Sequence, residues 1–104
     1  MKSYKLVFVG ASGHTGYVLS ELHAYPQIHL TAYAPSFAGE DMSQVAGSTK
    51  EGPLKEYEDW REMLESERPD IVTACGRHDL NGPIAIEAAR RGCHIISEKP
   101  AALT

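Results

Sequence analysis

The sequence has no apolar run long enough to cross a bilayer: the longest, Leu6 to Val9, falls far short of the ~20 residues a membrane helix needs. The opening residues Met1-Lys2-Ser3-Tyr4-Lys5 lead straight into that short run, without an extended apolar stretch and small-residue cleavage site, so no secretory signal is read here. Cysteine is scarce. The two present, Cys75 and Cys93, form neither a CxxC pair nor a disulfide framework, which fits a reducing compartment and a cytoplasmic protein. Blocks of basic residues are missing as well. Lys and Arg total 10 against 14 Asp and Glu, a formal charge of -4, and nucleic acid is not an expected partner because phosphate-backbone binding depends on clustered positive charge. There are no internal repeats, low-complexity tracts or linkers. The five histidines form no i, i+4 pair and no His-Cys cluster, so no metal site is expected.

What is present suits one globular domain. The chain has 104 residues, 42% apolar and 23% charged, enough to remove ~65% of the unfolded surface from water and to build one modest core. Tyr4-Lys5-Leu6-Val7-Phe8-Val9 is β-branched and aromatic, ends in a continuous apolar run and is stopped by Gly10, the pattern of a buried parallel strand. A helix is predicted from Tyr17 to Tyr25, with Val18, Leu22 and Tyr25 on one stripe and Pro26 as its stop. Ile28 to Ala34 reads as a second strand. Residues 35 to 53, rich in Gly, Ser and Pro, read as a loop with one helical turn near Met42 to Ala46.

Leu54 to Tyr57 is a short third strand in this reading. Asp59-Trp60-Arg61-Glu62 has capping-box spacing and opens a helix through Glu67, closed by Arg68-Pro69, with Trp60 packing inward. Asp70 to Cys75 is a fourth strand and Gly76 to Gly82 a loop. Pro83 is expected in the first turn of a helix that buries Ile84, Ala88 and the stem of Arg91 before Gly92 ends it. Cys93 to Ser97 is a fifth strand. Strands alternating with helices predict an α/β fold, a three-layer Rossmann domain with a parallel sheet in the order 3-2-1-4-5. In such a sheet ligands sit at the carboxyl ends of the strands, beside the switch point between strands 1 and 4. Cys75 at the end of strand 4 and Cys93 at the start of strand 5 then lie at opposite ends of the sheet, too far apart for a disulfide.

The glycines Gly10, Gly13 and Gly16 fall between a buried strand and a helix start. Missing side chains there let the backbone turn tightly and approach a pyrophosphate, whose charge meets the helix amides and dipole. Three glycines by themselves are a weak pattern; their place after strand 1 of a β-α-β unit strengthens it. Ser12 and Thr15 either donate hydroxyl hydrogen bonds to phosphate or cap the helix, and His14 lies in the same turn. The G-x-x-G-x-x-G spacing resembles the loops of aldehyde-type and extended short-chain reductases, which commonly take NADP. An acidic residue is expected at the end of strand 2 for the ribose of NAD, but that stretch reads Tyr33-Ala34-Pro35-Ser36. Ser36 is a candidate donor to a 2′-phosphate. No Lys or Arg lies between residues 6 and 49 to neutralise one, so NAD and NADP both remain open as cofactors.

From Pro69-Asp70-Ile71-Val72, through Leu80-Asn81-Gly82-Pro83-Ile84-Ala85-Ile86-Glu87-Ala88-Ala89, to Gly92-Cys93-His94-Ile95-Ile96-Ser97-Glu98-Lys99-Pro100, the chain resembles the glucose-fructose oxidoreductase/inositol dehydrogenase (Gfo/Idh/MocA) family. The resemblance covers essentially the whole chain, matches that family's nucleotide-binding half, and is most specific at Glu-Lys-Pro. It implies that Lys99 occupies the catalytic position beside nicotinamide and substrate, and that Glu98 lies near the nicotinamide ribose. It also implies that the loop after strand 4, with Cys75, Gly76, Arg77 and Asn81, packs against the cofactor. A lysine charge there can polarise a substrate hydroxyl whose proton leaves during hydride transfer.

The sequence departs from the family pattern in three places: Gly76-Arg77 stands for the usual Thr-Pro, Asn81 for the following histidine, and Cys93 for the usual lysine. Family enzymes continue into a substrate domain that supplies a catalytic histidine, whereas this sequence stops four residues after Pro100. The expectation is a dinucleotide-binding domain, 1-104, inactive by itself. Its parent reaction would move hydride to or from the hydroxyl or carbonyl of a substrate such as a sugar or polyol. A non-catalytic nucleotide-binding or assembly module, or a fragment of a semialdehyde or acyl-phosphate reductase suggested by Gly-Ala-Ser-Gly-His-Thr-Gly, are the alternatives. The edge of strand 5, uncovered here, is expected to pair with a second copy.

Overall fold

A computed structural model of the chain describes residues 3–11, 25–46, 54–74 and 78–97. Five strands form one parallel sheet: β1 (Tyr4–Val9), β2 (Ile28–Ala34), β3 (Lys55–Glu56), β4 (Ile71–Ala74) and β5 (His94–Ser97), in the order β3-β2-β1-β4-β5. Three helices are described: α1 (Ser43–Ala46), α2 (Trp60–Glu67) and α3 (His78–Arg90). The α/β reading and the strand order are borne out. The expected helix from Tyr17 to Tyr25 falls almost wholly outside the described residues.

Alternation along β1 divides the core. Val7 and Val9 face one side, joined there by Ala32, Ala34, Val72 and Ala74, and α2 and α3 cover them with Trp60, Met63, Leu64, Ile84 and Ala88. Leu6 and Phe8 face the other side, with Tyr33, Met42 and Val45. The parity slips in β2: Leu6 pairs with Leu30 but Val7 pairs with Ala32, leaving Thr31 as an extra residue. That bulge places Leu30 and Ala32 on opposite faces although they are two positions apart.

The helix signals are largely borne out. Asp59 caps α2, but its carboxylate accepts the N–H of Arg61 at 2.9 Å, so the observed cap bond is one position short of the Glu62 amide of a capping box. Arg68 ends α2 in the left-handed region, φ 48°. The start of α3 differs from expectation. The helix begins at His78 and Pro83 lies inside it, so Asn81 is helical rather than part of a loop. Burial of Ile84 and Ala88 against the sheet outweighs the local signals of Asn81, Gly82 and Pro83. Arg91, whose stem was expected to face inward, instead reaches across the surface, bonding Glu87 and Glu65 at 2.9 Å each.

Polar contacts pin the amino edge of the sheet. The Lys5 amide donates to Asp70 Oδ2 at 2.8 Å, the Asp70 amide returns to the Lys5 carbonyl at 2.9 Å, and Tyr57 donates to Glu67 Oε2 at 2.7 Å. These bonds hold β1, β4 and α2 in register and leave the carboxyl edge for other work.

Candidate functional site at the carboxyl edge of the sheet

β1 runs out of the core at Val9, level with Ala34 of β2 on one side and Ala74 of β4 on the other. The chain leaves through Gly10, which is buried and has φ 88°. A side chain is strained in that conformation, so the turn depends on glycine. The Gly10 amide donates to the Ala34 carbonyl at 2.8 Å, tying the start of the turn to the end of β2. Crossovers on either side of β1 diverge to opposite faces here, as α2 and α3 pack on one face while α1 lies on the other. This is the switch-point geometry in which open α/β sheets take ligands.

A carboxylate occupies the gap between β1 and β2. Ala11, the residue after the glycine, donates its amide to Glu40 Oε2 at 3.0 Å. Ser36 donates both its amide and its hydroxyl to Glu40 Oε1, each at 2.7 Å. The loop that carries Glu40 is short and turned: its amide donates to the Phe37 carbonyl at 3.2 Å, and Gly39 sits at φ 88°. Three donors from two loops thus converge on one side chain, through charge-assisted bonds that are about twice as strong as neutral ones.

Of the residues singled out in the sequence, the structure places two at this edge: Gly10, bonded to Ala34 at the end of β2, and Ser36, bonded to Glu40. Ser12, Gly13, His14, Thr15, Gly16, Cys75, Gly76, Arg77, Glu98 and Lys99 lie outside the described residues. Asn81 belongs to the first part of α3. Ser97, which precedes Glu98, pairs with Ala74, itself level with Val9, so the last described residue of β5 stands at the same edge as Gly10. Glu40 was missed. The expected carboxylate was sought in the strand end itself; the usable signal was that Glu40 is the first acidic residue after β2 and follows a glycine in a Pro-Ser-Gly loop.

The opposite edge carries a cavity of about 300 Å³ lined by Leu64, Glu65, Arg68, Pro69, Arg91 and Cys93. Two of its side chains are already engaged. Arg91 is paired with Glu65 and Glu87, and burial pushes the Cys93 thiol up from its ordinary value while it donates to the Pro69 carbonyl at 3.3 Å. A thiol held protonated is a poor nucleophile. Among the described residues no group of three or more His, Cys, Asp or Glu side chains comes together as metal ligands, and no helix is long and apolar enough to cross a membrane.

The sequence profile of the Gfo/Idh/MocA family, an oxidoreductase family with an NAD-binding Rossmann fold, matches residues 4–104. The chain belongs to this family. Solved structures agree with the assignment. An oxidoreductase from Thermotoga maritima is 36% identical over 88% of this chain and 28% of its own, with a TM-score of 0.78. A scyllo-inositol dehydrogenase from Lactobacillus casei, solved with NAD(H) and scyllo-inositol, is 24% identical over 99% of this chain and 30% of its own, TM-score 0.72. A biliverdin reductase from Synechocystis, solved with biliverdin and NADP+, is 19% identical over 97% and 31%, TM-score 0.75; these last two likenesses establish the fold. No curated protein sequence matches the chain significantly. The chain therefore spans under a third of the length of these relatives and corresponds to the NAD-binding Rossmann fold of its family.

Proposed function

We propose that this chain binds a nicotinamide dinucleotide across the carboxyl edge of β1, β2, β4 and β5, and is the cofactor-holding unit of an oxidoreductase acting on a hydroxyl or carbonyl substrate such as a sugar or polyol. The observation that carries this reading is the left-handed, buried Gly10 at the switch point, in a chain of the NAD-binding family. The Gly10 and Ala11 amides are already engaged by Ala34 and Glu40. The diphosphate is therefore assigned to the amides that follow, from Ser12 to Gly16, with the hydroxyls of Ser12 and Thr15 and with His14 beside it.

The dinucleotide, when bound, takes up or delivers a hydride. Lys99 is assigned to the substrate hydroxyl, whose proton it helps to remove or return, and Glu98 to the nicotinamide ribose. Cys75, Gly76, Arg77 and Asn81 are assigned to the wall of the nicotinamide half. Substrate selection belongs to the remainder of a protein of family length. The 104 residues are expected to bind cofactor without turning over a polyol, and to work in the cytoplasm.

Calorimetric titration and thermal-shift measurement with NADH and NADPH test the reading. Saturable binding of at least one, with a rise in melting temperature, is the expected result. No heat and no shift with either at millimolar concentration would overturn it.

A further inference from the structure

The Glu40 clasp carries a consequence for which dinucleotide is accepted. We propose that Glu40 makes the site selective for NAD(H) over NADP(H), acting as the carboxylate that the end of β2 itself lacks. The inference rests on the dinucleotide reading above. In switch-point sites the adenosine half of the cofactor lies toward strand 2, where an acidic side chain meets the ribose hydroxyls and a basic one accommodates a 2′-phosphate. Here the strand ends in Tyr33-Ala34-Pro35-Ser36 without a carboxylate. The loop then folds back, through the turn at Phe37 and the left-handed Gly39, and delivers Glu40 to the gap between β1 and β2.

Three features make the position discriminating. The carboxylate is held from both sides, by Ala11 at 3.0 Å and by Ser36 twice at 2.7 Å, so it cannot easily swing aside. Ser36 was a candidate donor to a 2′-phosphate, yet its hydroxyl proton and its amide are both given to Glu40. In this arrangement its hydroxyl oxygen can only accept, and a phosphate also only accepts. Finally, no Lys or Arg occurs from residue 6 to residue 49. A 2′-phosphate would bring its negative charge against a fixed carboxylate, in a stretch of sequence that supplies no Lys or Arg between Lys5, in the first half of β1, and Lys50. A neutral 2′-hydroxyl meets no such repulsion.

The wild-type chain is titrated with NADH and with NADPH by calorimetry, at low and at high ionic strength. NADH is expected to bind at least about tenfold more tightly at low salt, the scale set by one carboxylate facing a phosphate in a partly solvated site. The ratio should shrink as salt screens the charge. Glu40→Gln is expected to narrow it, mainly by strengthening NADPH, with circular dichroism confirming the fold. Equal affinities, tighter NADPH, or a preference for NADH that salt leaves untouched would overturn the inference while the dinucleotide reading stands; the salt comparison decides even if the variant does not fold. Binding of neither cofactor would overturn both.

Discussion

Single residues at the carboxyl edge do different work from those in the core. Gly10 and Glu40 are polar or conformational devices, justified by the turn and the clasp. Thr73 is harder to justify. It lies in β4, fully buried, and its hydroxyl has no hydrogen-bond partner among the described residues. A hydroxyl removed from water without compensation costs about 1–3 kcal/mol. It faces the side of the sheet away from Val72 and Ala74, which pack under α2 and α3. Thr73→Val keeps the branched shape that suits the strand and removes the unsatisfied group. We expect the variant to be more stable by about 1 kcal/mol in urea denaturation. A loss of stability instead would mean that the hydroxyl is bonded in solution.

At the scale of elements, α2 shows how a short helix is fixed at both ends. Asp59 satisfies one free amide at its start, and Trp60, Met63 and Leu64 bury one stripe against the sheet. Its end is less favourable: Arg68 takes the left-handed conformation, with its amide donating to the Leu64 carbonyl at 3.1 Å. Glycine is the usual residue at that cap. Arg68→Gly should therefore stabilise the fold by about 1 kcal/mol, the cost a side chain pays there, and Asp59→Ala should destabilise it by about 1 kcal/mol. Thermal melts of the two variants, moving in opposite directions, check both ends; a fall in melting temperature for Arg68→Gly would show that the arginine side chain stabilises more than its backbone costs.

The same elements show what was legible beforehand. β1 was readable to the residue because a buried parallel strand is nearly all apolar, and β2 because its residues alternate; each ends at a turn residue, as at Val9-Gly10 and Ala34-Pro35. The start of α3 was not, since Asn81, Gly82 and Pro83 are turn residues locally and become helical through packing of Ile84 and Ala88. Gly10 could be placed at the candidate site because its role is a backbone conformation with a strong residue preference. Glu40 could not, because its role arises from a loop closing on β1, and the distance between residues 11 and 40 along the chain hides a contact of 3.0 Å.

For the molecule as a whole, the two edges of the sheet are unequal. β3 spans only Lys55–Glu56, and a short charged strand is a poor template for pairing. β5 is longer, His94–Ser97, and among the described residues it pairs with β4 alone. It also leaves Ile96 38% exposed. An apolar residue on an open strand edge invites a second chain to extend the sheet, where backbone bonds and covered apolar surface both contribute. The 104-residue chain is expected to self-associate through β5, with the mean mass in sedimentation velocity rising with protein concentration. Ile96→Lys, which puts a charge on that edge as natural edge strands do, should restore the monomer at the same concentration. A wild-type chain that stays strictly monomeric at high concentration would overturn this account, as would association that the lysine does not weaken.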